Sequence, residues 1–128
     1  MRYTRQLATA ALIVAAGLGM GACSAHPGAA VSTNNGDYSI AEVDEAVSQI
    51  AAVTGGKSSV GAHQVRASLM NEPQLVAVAD SVGLSVTDEQ VDQAIEQIAT
   101  QTGAQVPVIG RGTRATVRSL LLNQQLSQ

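Results

Sequence analysis

Aromatic side chains are almost missing from this chain: there is no Trp and no Phe, and beyond Tyr3 the only tyrosine is Tyr38. Aliphatic residues and alanine therefore have to fill any core, which favours closely packed helices over an aromatic-rich β-sandwich. Cysteine is nearly absent too. Cys23 is the only one, so an internal disulfide is excluded and stability has to come from packing. Basic residues are few: seven Lys and Arg stand against ten Asp and Glu, and Arg2 and Arg5 fall at the very start. A nucleic-acid partner calls for a basic footprint with stacking aromatics, and the chain as a whole offers neither.

Catalytic signatures are missing as well. His26 and His63 have no second histidine, cysteine or carboxylate at metal-ligand spacing. No Gly-x-Ser-x-Gly elbow sets a serine on a strained turn. Gly55-Gly56-Lys57-Ser58 touches the end of a phosphate-loop pattern but lacks its spaced upstream glycine, so it reads as a helix stop and a loop. Asp44 and Asp92 read as solvated acids of helix first turns. Neither an enzyme, a metal site nor a cofactor is expected.

The most specific stretch is Met20-Gly21-Ala22-Cys23. It ends an apolar run that begins near Leu7 and follows Arg2 and Arg5, the layout of a secretory signal. The run is interrupted by Gly17 and Gly19 and falls short of the ~20 apolar residues of a membrane span. A cysteine directly after Gly-Ala resembles the bacterial lipobox, with Met20 where that pattern prefers Leu. The resemblance implies a diacylglycerol anchor on Cys23 and a location outside the cytoplasm, at the cell membrane or envelope. Residues 1–22 are then the lipoprotein signal peptide. Residues 23–37, small and polar, are the lipidated cysteine and a flexible tether, although Ala30–Ser32 has the pattern of a short extended segment.

Residues 38–128 read as helices. Ser39 with Glu42, and Thr87 with Gln90, form two capping boxes. The first opens an apolar face of Ile40, Val43, Val47 and Ile50, stopped at Thr54-Gly55-Gly56; the second opens Val91, Ile95 and Ile98, stopped at Thr102-Gly103. Between them a helical pattern carries Val65 and Leu69, meets Pro73, where a kink or a fresh start capped by Asn71 is expected, and continues to Gly83. Apolar groups lie nearly all round that stretch, which makes it the expected most buried helix. A last helix turns Val117, Leu120, Leu121 and Leu126 inward and carries Arg111, Arg114 and Arg118 at helical spacing.

The chain repeats itself. Val43–Ala51 lies over Val91–Ala99, both runs reach Thr-Gly, and Val65-Arg66, Leu69 and Asn71 correspond to Val117-Arg118, Leu121 and Asn123. The expected fold is all-α: a small bundle of four to five helices built as two helical hairpins. Two repeats are too few for a solenoid.

Tyr38–Val47 and the run Leu75–Val91, an apolar helix, a glycine, a connector and a Val-Thr-Asp-Glu helix start, resemble the N-terminal domains of SurA-type and PrsA-type extracytoplasmic chaperones; trigger factor's substrate-binding domain is similar in layout. The resemblance spans about Ala30 to Gln128 and leaves no sequence for a parvulin-type isomerase domain, so isomerase activity does not carry over. It implies a membrane-anchored, non-catalytic module that binds apolar segments of unfolded or exported polypeptides. Met70, Leu75, Val76 and Leu122 are the candidate client contacts, from apolarity in excess on their helices. The alternative is an interaction subunit that docks one envelope protein through Arg111, Arg114 and Arg118.

Overall fold

The structure, a computed structural model, describes residues 28–34 and 36–128. Cys23 and the signal-like run lie outside the described residues. The fold opens with two antiparallel strands, β1 (Ala29–Thr33) and β2 (Gly36–Ser39), in which Val31 faces Tyr38 and Thr33 faces Gly36. Four helices follow: α1 (Ile40–Val53), α2 (Ala62–Ser81), α3 (Asp88–Thr102) and α4 (Arg111–Leu126). The helical bundle is as expected; the sheet corrects the all-α reading and places part of the expected tether inside the fold. Small polar residues argued against order there. Strand pairing satisfies their backbone, and one side chain, Val31, is driven into the core beside Val43, Val65 and Leu69.

Local chemistry sets the helix ends. The Glu42 N–H donates to the Ser39 hydroxyl at 3.1 Å and the Ser39 N–H to the Glu42 carboxylate at 3.2 Å. Thr87 and Gln90 repeat the exchange at 3.2 and 2.9 Å. Both helices then stop alike. The Thr54 hydroxyl donates to the Ile50 carbonyl at 2.8 Å, the Thr102 hydroxyl lies 3.1 Å from the Ile98 carbonyl, and Gly55 and Gly103 take φ of +62° and +71°. The Thr102 hydroxyl is closer still, 2.7 Å, to the Val53 carbonyl, which ties the two stops together.

Helix α2 runs unbroken through Pro73, so no fresh start occurs at Asn71. Proline removes one intrahelical N–H donor; Leu69 before it and Ala79 after it are both held in the interior. Nor is α2 the most buried helix. Val78 and Met70 are more than half exposed, and the central position belongs to α4. That helix packs on α1, α2 and α3, whereas α2 and α3 barely touch. It buries Gly112, Thr113, Ala115, Thr116, Val117, Ser119 and Leu122. Small residues permit this closeness: a Cβ at Gly112 would stand 3.1 Å from the Glu42 carbonyl oxygen. The inward face is also rotated from expectation, with Leu120 55% exposed and Leu122 1% exposed. Ala115 and Val117 enter two separate core clusters, one with the hairpin, α1 and α2, the other with α3.

Gly110, at the cap position of α4, has no side chain to hold the helix start. Gln49 of α1 supplies the missing partner. Its Oε1 accepts from the Gly110 N–H at 2.9 Å and from the Thr113 hydroxyl at 2.5 Å, and its Nε2 donates to the Val108 carbonyl at 2.9 Å. Gln97, its counterpart in the repeat, is exposed, and among the described residues its side chain has no hydrogen-bond partner. Gln49→Ala is therefore expected to lower stability by about 2 kcal/mol, and Gln97→Ala to change it by less than about 0.5 kcal/mol, read from urea unfolding midpoints. Equal effects would contradict the clamp.

Candidate binding groove

An apolar opening among the described residues follows from how α2 and α4 meet. Ala67, Ser68 and Thr116 are small, and they leave a cavity of about 350 Å³ that Ile50, Val60 and Leu120 complete. No charged residue lines it. The repeat organises its two long walls. With Val65-Arg66 over Val117-Arg118, Gln64 corresponds to Thr116 and Ser68 to Leu120, and all four line the cavity. Equivalent positions of the two helical hairpins thus face one opening. On α2 the same side continues through Asn71, Leu75 and Val78 to Val82 at the helix cap, at alternating spacings of three and four. Val78 is 51% exposed and Leu75 half-buried, so the apolar strip extends past the cavity.

The four apolar candidates do not converge on this opening. Leu75 lies on its strip. Met70, 59% exposed, projects from another side of α2. Val76 and Leu122 line a different cavity, of about 230 Å³, together with Glu72, Ala79, Val86 and Arg118. Leu122 is a core residue, 1% exposed, that floors this second cavity. Ile50, Val60, Ala67 and Leu120, which form the first cavity, carried a weaker signal. The triplet Leu120-Leu121-Leu122 has more apolar residues than one helix face can bury, and the structure leaves the first of them outside.

The arginines are committed within the molecule. The Arg111 Nη2 donates to the Glu42 carboxylate at 2.8 Å and to the Asp37 carbonyl at 2.7 Å, and its guanidinium lies 4.3 Å from the centre of the Tyr38 ring. Burial pushes the Tyr38 hydroxyl above its ordinary pKa, against the opposing pull of Arg111. Arg114 meets Asp92 at 3.1 and 3.3 Å. Arg118 lies 3.5 Å from Glu72 and also bonds Asp88. Each guanidinium joins α4 to a neighbouring element. His63 is exposed, and among the described residues no three His, Cys, Asp or Glu side chains group together as metal ligands would.

These ties differ in burial, and that decides their weight. Glu72 is 12% and Arg118 20% exposed, whereas Arg114 and Asp92 are each 44% exposed. Removing Arg118 leaves Glu72 nearly buried without its cation. Arg118→Ala is expected to destabilise by about 1–3 kcal/mol, and Arg114→Ala by less than about 1 kcal/mol, in the same unfolding measurement. A neutral Arg118→Ala would show that the pair contributes nothing to the fold.

Set against known proteins, the chain matches no family model, no curated protein and no solved structure.

Proposed function

We propose that this chain is a lipid-anchored, non-catalytic module that holds apolar segments of unfolded or exported polypeptides outside the cytoplasm. The observation that carries the reading is the uncharged cavity between α1, α2 and α4, with Leu120 exposed on its wall and Leu75, Val78 and Val82 extending its strip. A monomer seldom leaves such surface uncovered without using it. The likeness of Tyr38–Val47 and Leu75–Val91 to SurA-type and PrsA-type chaperone domains supports the same reading. The internal pairing of Arg111, Arg114 and Arg118 weighs against docking through that helix.

Physical scale sets the kind of binding. Apolar burial contributes roughly 25 cal/mol per Å², and association has first to offset lost freedom of both partners. A cavity of about 350 Å³ accepts one or two side chains, so affinity is expected to be micromolar or weaker, on the order of −8 kcal/mol at most. Weak, broad binding suits holding. Anchoring adds proximity. Gly28 begins the described fold only five residues after Cys23, a link that spans at most about 18 Å. The groove is then kept close to the bilayer, where exported chains emerge.

Two measurements test this. Protein begun at Ser24 is expected to suppress aggregation of a chemically unfolded model protein near stoichiometric ratio. Leu120→Glu, at an exposed position, is expected to abolish suppression while leaving the helical circular dichroism intact. A folded wild-type domain that suppresses nothing would sink the holding reading. For the anchor, the full chain made in a bacterium is expected in the detergent phase of a phase-separation assay, and Cys23→Ala in the aqueous phase; identical partitioning would refute lipidation.

A further inference from the structure

The second cavity combines an aliphatic floor with an acidic rim. Its floor is aliphatic: Leu122 and Ala79 lie in the core, with Val76 and Val86 half-buried beside them. Its rim is acidic, with Glu72 and Asp80. The one cation there, Arg118, is bonded to both Glu72 and Asp88, so its charge is met twice over. Asp80 is different: it is exposed, and among the described residues its carboxylate has no hydrogen bond or ion pair. It also sits in the last turn of α2, where the helix dipole is already negative and no basic residue compensates. Glu72, Asp80 and Asp88 against Arg118 leave a net negative site over an apolar floor.

From this geometry we infer that the cavity takes a lysine or arginine side chain of a bound polypeptide. These two side chains are the ones with an aliphatic stem and a charged head, and they bury the stem on apolar surface while the head stays at the rim. Here the stem lies on Val76, Val86 and Leu122 and the head meets the Asp80 carboxylate. Size agrees. About 230 Å³ is below the ~300–1,000 Å³ of small-molecule pockets and suits a single side chain. The charge of the whole domain favours the same occupant. From Gly28 onward there are five basic residues and all ten acidic ones. Cationic segments are therefore steered toward this domain and anionic ones away from it.

The inference deepens the holding reading and rests on it for its occupant: the segments held carry a basic residue among apolar ones. Two short apolar peptides, identical except for a central Lys or Gln, separate the two ideas. Their binding to the full chain in phospholipid nanodiscs is measured calorimetrically, with empty discs subtracted, at low salt. The Lys peptide is expected to bind about three- to fivefold more tightly, the range of a partly exposed ion pair. Asp80→Asn should abolish that ratio and leave the Gln peptide unchanged. Raising salt should shrink the ratio. Equal binding of both peptides to the wild type would overturn the inference while the holding reading stands, as would a Lys preference that survives Asp80→Asn. Binding of neither peptide would overturn both.

Discussion

The burial of a polar-looking helix organises this domain. Helix α4 buries Gly112, Thr113, Ala115, Thr116 and Ser119 beside only two larger apolar residues, Val117 and Leu122. What it offers is closeness. Small side chains let the backbones of α1 and α4 approach until a single added carbon at Gly112 would press on the Glu42 carbonyl, and close packing returns dispersion energy from many contacts. The hydroxyls have to be satisfied in place. Thr113 bonds Gln49, and Thr116 bonds the Gly112 carbonyl at 2.8 Å. Among the described residues no buried side-chain nitrogen or oxygen is left without a partner. Around that seam the three arginines fasten the outer edges of α4 to β2, α1, α2 and α3.

Much of the architecture was legible because it is written in local chemistry. Ser39 with Glu42 and Thr87 with Gln90 mark two helix starts, and the matching Thr-Gly pairs mark two stops, through interactions that span only a few residues. Long-range facts were not legible in this way. Leu120 and Leu122 are both leucines in one run; a rotation of about 200° around the helix separates them, and only the positions of α1, α2 and α3 decide which is buried. The hairpin was legible only in part, as the short extended segment at Ala30–Ser32 that became β1. Its order comes from pairing between strands and from Val31 reaching a core built elsewhere, not from the composition of residues 29–39.

The charges of α4 are a further long-range feature. Arg111, Arg114 and Arg118 form a basic stripe in sequence, and a stripe suggests a surface. The acids that meet them, Glu42, Asp92, Glu72 and Asp88, sit at starts or middles of other helices, where dipole and capping account for several of them already. The internal repeat held the answer in part: an acidic-start helix recurs with an arginine-bearing one, and in the fold α4 is the arginine-bearing helix that draws acids from both hairpins. The same repeat frames the groove, since corresponding positions of α2 and α4 line it. The sites α2 offers are thus of two kinds, an uncharged apolar opening on one side and an acid-rimmed apolar pocket on another.

The most direct test of groove binding is amide chemical-shift mapping of isotopically labelled protein from Ser24 onward, titrated with a short apolar peptide. Holding in the groove requires the largest shifts at Ile50, Val60, Ser68 and Leu120, residues brought together only by the fold. Shifts confined to Arg111, Arg114 and their acidic partners, or the absence of any shift at saturating peptide, would contradict it.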